Sequence, residues 1–386
     1  METIKLAYLL STAYNLKTET LLCVSLTGNH ARQENIMELI HGGDLVSAGK
    51  IYNGEILALS VNVNPLGTPP EVTAAAQMAA EIAAAYPDPA CRELRGAIAA
   101  RDGVRPEQVF CGNGAAEVIF RLAFALHPKA ALLTAPTFAE YEASLIQKDC
   151  ECRFHELRRE DEFDVTEKIL TDMVPPVELV VLCSPNNPTG RVIPEPLLLR
   201  ILNRCREIGA ALMVDECFLP FVTGGKGLAP WLDEYPELFL LRAFTKTYAI
   251  PGLRLGYGLT SPKLVEQLER WGACWNVSSV AQAAGIACCG LPDWPEKGRE
   301  LIAVQRPKLI TGLESLGCEV VHGQANYVLF RLPGVYDLKE RMLGRGVLLR
   351  SCANYRNLGR DWYRAAVRPR AETEKFLELL AAELTK

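Results

Sequence analysis

The amino-acid sequence predicts an α/β protein, with a large domain built on a mostly parallel central sheet flanked by helices and a smaller α+β domain. Two features of the pattern predict this. Between residues 109 and 259, short apolar runs of strand length alternate with longer stretches of helical periodicity, which is typical of βαβ units. After residue 317, short apolar runs return with helices between and after them, which indicates the smaller domain.

Composition and charge limit the classes of function. The 386 residues are 49% hydrophobic, which is enough for a large core and two domains. A net charge of −5, with Lys and Arg scattered along the chain, argues against nucleic acid or an anionic membrane as a partner. Lys5 and Lys17 interrupt the apolar patches near the N-terminus, so we expect no membrane-spanning segment there.

Cysteine and histidine usage indicates a cytoplasmic protein without a metal centre. The 13 cysteines are odd in number, their spacings match no common zinc or redox motif, and no signal peptide is recognisable. Reduced thiols of the cytoplasm are the better interpretation. The five histidines show no ligand spacing, so we expect no metal site.

A glycine-rich helix start follows the first strand-like run. Residues 109 to 111 are apolar, and residues 112 to 117 then open a stretch with apolar side chains at helical spacing. Small residues at a helix start, such as Gly114 and Ala115, leave backbone N–H groups free to meet a phosphate. A plain strand-to-helix turn fits the same residues.

Two later strand-like runs each end in a polar side chain. Residues 179 to 183 precede the turn 184 to 190, in which the fixed amide of Asn187 can donate a hydrogen bond, although an ordinary Asn-Pro turn looks the same. Residues 210 to 214 precede Asp215. Its carboxylate can pair with a protonated ring nitrogen or, alternatively, cap a helix.

A lysine follows the next strand-like run. Residues 238 to 241 are apolar, Lys246 comes shortly after them beside Thr245, and Arg254 lies eight residues further on. A lysine at a strand end beside a hydroxyl suits a Schiff base with a phosphorylated aldehyde cofactor. Taken alone, a lysine is ordinarily a solvated surface charge, so the argument depends on the order of all these segments.

In this order, the segments resemble the class I/II aminotransferases, which are fold-type I enzymes dependent on pyridoxal 5′-phosphate. The resemblance extends from about residue 41 to the C-terminus. It implies that Lys246 forms the internal aldimine, that Asp215 pairs with the pyridine nitrogen, and that Asn187 bonds the 3′-oxygen. It further implies that the ring of Phe138 stacks on the cofactor. Its phosphate would be held by Gly114, Ala115, Thr245 and Arg254. The resemblance also implies a homodimer, in which Tyr86 reaches the cofactor phosphate of the neighbouring subunit.

One position departs from this pattern. Most aminotransferases of the group place a tyrosine three residues after the aspartate, where its hydroxyl bonds the 3′-oxygen of the cofactor. Here Phe218 follows Asp215 at that spacing. The departure implies that one hydrogen bond to the phenolic oxygen is missing.

A closer resemblance comes from both ends of the shared region. The segments 41 to 44, 61 to 67, 350 to 355 and 363 to 368 are similar to those of the threonine-phosphate decarboxylases of cobalamin biosynthesis. This implies decarboxylation of L-threonine O-3-phosphate to (R)-1-aminopropan-2-yl phosphate. Arg364 would bind the α-carboxylate and Arg350 the phosphate, assisted by His41, Gly42 and Asn62. Without the family, the two arginines would be interpreted as surface ion pairs and the glycines as a turn.

Several alternatives stay open at this point. An aminotransferase acting on histidinol phosphate or a related phosphorylated amine shares every cofactor residue. A serine-phosphate decarboxylase differs by one methyl group in the substrate, which is worth only about 1–3 kcal/mol in a pocket. A cofactor-binding regulator without turnover is the rival from another class, although the presence of Lys246, Asp215 and Arg254 argues against it.

The same resemblance divides the chain into four parts. We expect residues 1–36 to be an extension that contributes nothing to catalysis, since Met37 stands where related chains would begin. Residues 37–75 would form a substrate-binding arm and the start of the small domain. Residues 76–290 would form the large cofactor-binding domain, and residues 291–386 the small C-terminal domain.

Overall fold

The computed structural model describes residues 42–385, so the expected extension lies outside the described residues. The strands in chain order are β1 (Leu57–Ala58), β2 (Val109–Gly112), β3 (Ala130–Ala135), β4 (Glu151–Glu156), β5 (Val177–Cys183), β6 (Ala211–Asp215), β7 (Leu238–Ala243), β8 (Gly256–Leu259), β9 (Glu319–Val321), β10 (Tyr327–Arg331), β11 (Val347–Leu348), β12 (Arg350–Ser351) and β13 (Trp362–Ala366). The α-helices are α1 (Leu45–Ile51), α2 (Pro70–Glu81), α3 (Arg92–Asp102), α4 (Gly114–Leu126), α5 (Ala139–Ile146), α6 (Ile169–Asp172), α7 (Glu195–Ile208), α8 (Phe244–Thr247), α9 (Pro262–Glu269), α10 (Ser279–Cys289), α11 (Asp293–Ser315), α12 (Leu338–Leu343) and α13 (Arg370–Leu384). Short 3-10 helices cover Pro106–Gln108, Arg159–Asp161, Leu219–Phe221, Ala229–Trp231 and Pro251–Leu253.

The larger sheet has seven strands in the order β2-β8-β7-β6-β5-β3-β4. Neighbouring strands are parallel from β7 through β6, β5 and β3 to β4. Strand β8 runs antiparallel to both β2 and β7. The predicted mostly parallel sheet is therefore confirmed, and the strand-like runs of the sequence correspond to β2, β5, β6 and β7.

Alternate residues of the central strands pack into two cores on opposite faces of this sheet. In β6, Leu212 and Val214 belong to one buried cluster, whereas Met213 belongs to the other. Successive side chains of a strand point to opposite faces. Because both faces are covered, these strands are continuous apolar runs, which is why the sequence indicates them clearly.

The carboxyl ends of β5, β6 and β7 lie side by side. Cys183 at the end of β5 is opposite Asp215 at the end of β6, and Asp215 is opposite Leu241 of β7. Polar residues that follow these strands therefore collect at one edge of the sheet, where ligands of open α/β sheets bind.

The smaller sheet has four antiparallel strands in the order β12-β13-β10-β9. In its register, Arg350 of β12 stands directly opposite Arg364 of β13, so both side chains leave the same face. Strand β1 pairs in parallel with β11, where Leu57 is opposite Val347, and this pairing ties the N-terminal segment to the C-terminal one. Within residues 42–385, no α-helix has the length and apolarity needed to cross a membrane.

Candidate active site

A cavity of about 340 Å³ lies at the carboxyl ends of β5, β6 and β7. The structure brings most of the predicted site residues to its walls. They are Gly42, Asn62, Ala115, Phe138, Asn187, Asp215, Thr245, Lys246, Arg254, Arg350 and Arg364. Segments more than 300 residues apart in the sequence thus meet around one space.

Lys246 lies in the single-turn helix α8, directly after β7. Burial lowers the pKa of its ammonium group, and the nearby charges of Arg364 and Arg254 lower it further, against the opposing effect of Cys217 and Asp215. A lowered pKa increases the fraction of neutral amine, which is the nucleophilic form.

The segment that carries Lys246 is fixed by the connection between β1 and α2. The backbone N–H of Asn64 donates to the carbonyl of Lys246 at 2.9 Å, and Asn64 Nδ2 donates to the carbonyl of Thr247 at 3.0 Å. Asn64 Oδ1 also accepts from the backbone N–H of Leu66. The second asparagine of segment 61 to 67 is therefore a clamp on the lysine.

Asp215 is buried at the end of β6, and its carboxylate is held by two donors. Tyr141 Oη donates to Oδ2 at 2.6 Å, and the backbone N–H of Cys217 donates to Oδ1 at 2.8 Å. Burial raises the pKa of Asp215, and these hydrogen bonds oppose the shift. The carboxylate begins no α-helix, so the helix-cap alternative is wrong.

Phe138 and Tyr141 are distinguished by their surroundings. Their rings meet edge to face, with centroids 5.6 Å apart. The hydroxyl of the fully buried Tyr141 is engaged by Asp215, whereas Phe138 is half-buried and lines the cavity. Phe138 is thus the ring with no hydroxyl to engage at the cavity wall, whereas Tyr141 supports the carboxylate of Asp215, and the stacking role expected for Phe138 stays a prediction.

The start of α4 forms an anion cradle with Arg254. Asn113, which precedes the helix, makes no side-chain cap to its free N–H groups. Gly114 has φ +81°, and a Cβ there would lie 2.4 Å from Arg254 Nη2. A Cβ on Gly256 would lie 2.4 Å from the backbone nitrogen of Ala115, so close backbone approach requires Gly256, whereas Gly114 is favoured by its positive φ. The dipole of α4 and the guanidinium together suit a phosphate.

Arg364 is buried among neutral oxygens. It donates to Asn187 Oδ1 and, at 3.2 Å, to the carbonyl of Ser60. With the Asn62 amide turned so that its oxygen faces the guanidinium, Arg364 Nε donates to it at 3.0 Å. No carboxylate within residues 42–385 forms an ion pair with Arg364, so the surface ion-pair alternative is wrong for this residue. A buried charge of this kind is best satisfied by an anion from outside the protein.

Arg350 lies beside it on the same face of the sheet. It is 8% exposed, its Nη2 donates to Asn354 Oδ1 at 2.8 Å, and its guanidinium lies 5.5 Å from the ring centre of Tyr355. Two buried guanidinium groups on one wall can hold two anionic groups of one ligand.

The segment containing Gly42 and Gly43 packs against Ser60. A Cβ on Gly42 would lie 2.6 Å from the Ser60 carbonyl oxygen, and the backbone N–H of Gly43 donates to Ser60 Oγ at 3.1 Å. Since the Ser60 carbonyl also accepts from Arg364, the glycine segment supports the arginine. His41, which precedes it, lies outside the described residues.

Tyr86 lies apart from the cavity in this chain. Its side chain is 81% exposed, and its ring centre is 4.8 Å from that of Trp275. The role expected for Tyr86 in a neighbouring subunit stays a prediction.

Sequence reasoning missed three functional side chains or groups. They are the hydroxyl of Tyr141 on Asp215, the hydroxyl of Tyr355 on Asn187, and the carbonyl of Ser60 on Arg364. The position of Tyr141, three residues after the expected stacking ring, is the one signal that could have indicated it. Tyr355 ends the segment 350 to 355 that resembles the family, but nothing in that segment indicates a contact with Asn187, and nothing in the sequence marks Ser60.

Comparison with known proteins agrees with this geometry. A family model described as aminotransferase class I and II matches residues 54–382. The threonine-phosphate decarboxylase of Salmonella typhimurium is 35% identical over 351 residues, which cover 89% of this chain and 96% of that protein. The histidinol-phosphate aminotransferase of Anaeromyxobacter sp. is 36% identical over 314 residues, which cover 78% and 84%. The crystal structure of the histidinol-phosphate aminotransferase from Clostridium acetobutylicum has a TM-score of 0.79 and 27% identity, covering 85% of this chain and 98% of that one. The chain belongs to the aminotransferase class I and II family.

Proposed function

We propose that this protein is a pyridoxal-phosphate-dependent decarboxylase that converts L-threonine O-3-phosphate to (R)-1-aminopropan-2-yl phosphate in cobalamin biosynthesis. The observation that carries the proposal is the pair of buried guanidinium groups, Arg350 and Arg364, on one wall of the cavity. The substrate has one phosphate and one carboxylate to match them. The similarity to the Salmonella typhimurium decarboxylase supports the same assignment.

The residues present fit the cofactor. The start of α4, Thr245 and Arg254 would hold its phosphate, Asp215 its pyridine nitrogen, and Lys246 its aldehyde carbon. When bound, pyridoxal phosphate supplies an electron sink for a bond broken at the α-carbon of the substrate. Asp215 must be ionised for this role, and the hydrogen bonds from Tyr141 and Cys217 favour that form.

The protein residues determine which bond breaks and where the proton goes. We expect Arg364 to bind the α-carboxylate and Arg350 the phosphate, and these two contacts would determine which bond of the substrate α-carbon is placed for cleavage. Carbon dioxide leaves with the breaking bond, and Lys246 then gives one proton to the α-carbon. Its lowered pKa makes Lys246 a better proton donor than an ordinary lysine, which suits a group that must both hold and release a proton.

An aminotransferase acting on histidinol phosphate is the second candidate, because the Anaeromyxobacter relative with that name is 36% identical. It would use Lys246 to remove the α-hydrogen instead. The two candidates differ in one requirement, since transamination needs a keto acid as amino acceptor and decarboxylation does not.

The experiment follows from that difference. The cofactor-loaded protein is incubated with L-threonine phosphate without any keto acid, and carbon dioxide and the amine product are measured together. Release of both at equal rates, abolished by Lys246→Ala, is the expected result. No release, with amino transfer from histidinol phosphate once 2-oxoglutarate is added, would replace the decarboxylase by the aminotransferase. Serine phosphate in the same assay should be turned over about 10- to 100-fold less efficiently, because it lacks one methyl group.

We further propose a homodimer in the cytoplasm, in which Tyr86 of each subunit reaches the cofactor phosphate of the other. The exposed ring of Tyr86 supports this arrangement, because a tyrosine this accessible is available to a second chain. Every cysteine within residues 42–385 is unpaired, which fits a reducing compartment.

A further inference from the structure

The amide of Asn187 is held in one orientation by two donors. Its Oδ1 accepts hydrogen bonds from Tyr355 Oη at 3.2 Å and from Arg364 Nη1. A carbonyl oxygen has two lone pairs, and both are engaged here. Turning the amide over would place its NH2 group against two donors. The Nδ2 group is therefore the part of Asn187 that remains for a ligand in the cavity that this residue lines.

Tyr355 is itself rigidly placed. It is buried in the loop after β12, where its backbone N–H donates to the Cys352 carbonyl at 3.0 Å and its carbonyl accepts from Leu358 at 3.2 Å. The Arg350 guanidinium lies over its ring. Burial raises the pKa of the Tyr355 hydroxyl, so the hydroxyl keeps its proton and acts as a donor.

Phe218, three residues after Asp215, stands where most aminotransferases of the group have a tyrosine, and it has no hydroxyl. Phe218 lines the cavity, and its ring packs edge-on against Tyr327 with the centroids 5.0 Å apart. A phenyl ring in this place can contribute packing but no hydrogen bond to the 3′-oxygen. The Asn187 amide thus has to serve as donor without the tyrosine that most relatives use.

We propose that Tyr355 is a positioning residue, which fixes the Asn187 amide as donor to the 3′-oxygen of the cofactor and so makes up for the tyrosine that Phe218 replaces. The inference rests on the cofactor of the proposed function and not on its substrate. Tyr355 acts from the smaller-sheet side of the cavity, whereas Asn187 follows β5 of the larger sheet. The hydrogen bond therefore joins the loops of the two sheets directly at the site.

The proposal has a spectroscopic consequence. A hydrogen-bond donor to the 3′-oxygen withdraws electron density from that oxygen. The oxygen then stabilises less well a proton on the neighbouring nitrogen, which joins the lysine to the cofactor. With Tyr355→Phe, one of the two bonds that orient Asn187 is lost, so its donation weakens. The pH midpoint of the visible absorption band of the cofactor-loaded, substrate-free protein should then rise by about half to one pH unit.

A matched control removes a buried hydroxyl elsewhere. Tyr363 is fully buried, its hydroxyl donates to the Val335 carbonyl at 2.9 Å and accepts from the Leu338 N–H at 3.2 Å, and its side chain is not among those that line the cavity. Tyr363→Phe should leave the midpoint unchanged. A Tyr355→Phe midpoint that moves no more than this control would overturn the proposal.

A second variant tests whether a tyrosine at position 218 can compensate for the loss of the Tyr355 hydroxyl. Adding Phe218→Tyr to Tyr355→Phe should return the midpoint toward the wild-type value, and a double variant that stays at the shifted value would contradict the compensation. Since substrate is absent, a protein that shows the shift and its rescue but releases no carbon dioxide supports the role of Tyr355 and overturns the decarboxylase alone. A wild-type protein with no visible band after addition of pyridoxal phosphate overturns both.

Discussion

At the residue scale, burial sets the charge of the groups that do the chemistry. Asp215 and Lys246 are both shifted toward their neutral forms because burial disfavours a charge. Each has neighbours that act in the opposite direction, namely Tyr141 and Cys217 for the carboxylate. The charge of each group is thus set by the balance between burial and these neighbours.

This shift predicts how the stability of the cofactor-free protein depends on pH. Since the pKa of Asp215 is raised above 3.8, the folded state retains a proton that the unfolded state has lost, and stability falls as pH rises through that window. Asn cannot titrate. The cofactor-free Asp215→Asn variant should therefore gain stability relative to the wild type as pH rises from about 4 toward neutrality, as measured by urea unfolding.

An exposed carboxylate provides the control for that series. The Arg105 guanidinium lowers the pKa of Asp233 below 3.8, so the Asp233→Asn variant should lose stability relative to the wild type only as pH rises through the range below about 4. From about pH 4 upward its stability difference from the wild type should be small and nearly constant, because the pair is exposed. A stability difference between Asp215→Asn and the wild type that is constant with pH would show that Asp215 titrates normally.

A second prediction at this scale concerns substrate choice. Arg350→Ala should reduce kcat/KM for L-threonine phosphate about 30- to 150-fold, the effect of losing about 2–3 kcal/mol of charge-assisted hydrogen bonding. The kcat/KM for unphosphorylated threonine should hardly change, because that substrate has no phosphate for Arg350 to bind. Arg356→Ala is the control, because Arg356 lies in the loop that follows β12 and its exposed side chain pairs with Glu142. An equal loss for both substrates would remove Arg350 from the phosphate site.

At the scale of elements, the anion cradle proposed to hold the cofactor phosphate depends on how closely β8 approaches the start of α4. Gly256 of β8 is opposite Gly112 of β2, and the missing Cβ leaves room for the backbone of Ala115. The strand and the helix are therefore packed backbone to backbone. This is a close approach that any side chain would prevent.

Gly256→Ala should displace the start of α4 and lower stability by about 1–3 kcal/mol, measured by urea unfolding of the cofactor-free protein. The affinity for pyridoxal phosphate should fall in parallel, measured by fluorescence titration. The control is Gly252→Ala in the neighbouring turn, where an added Cβ would meet no atom within 4 Å. Equal affinities for the two variants would show that the cradle tolerates the shift.

At the scale of the whole molecule, the proposed dimer is tested by complementation. If Tyr86 contributes to the site of the other subunit, each site takes its Lys246 from one subunit and its Tyr86 from the partner. The variants Tyr86→Ala and Lys246→Ala then remove groups that come from different subunits. Mixing and re-equilibrating the two poorly active variants should restore about one quarter of the wild-type activity, because half of the dimers are mixed and one of their two sites is intact. No gain over the sum of the separate variants would place Tyr86 outside the partner's site.

The sequence alone determined the architecture and the main site residues. Strands buried on both faces are continuous apolar runs, and the polar residue after each run stands out against them, as Asn187, Asp215 and Lys246 do. In a parallel sheet the carboxyl ends of neighbouring strands share one edge, so these residues could be expected to meet. The prediction that these residues bind a cofactor came from the order of their segments along the chain, which resembles that of one family.

Only the tertiary structure decided which distant side chains touch. Tyr141 is 74 residues from Asp215, and Tyr355 is 168 residues from Asn187. Tyr355 lies in the segment 350 to 355 that resembles the family, yet nothing in the sequence indicates that its hydroxyl contacts Asn187. Such pairs depend on how two sheets pack and on the direction of each side chain, and burial then raises or lowers the pKa of the groups enclosed. Local periodicity predicts neither these contacts nor the pKa shifts, because it indicates only which face of an element is apolar.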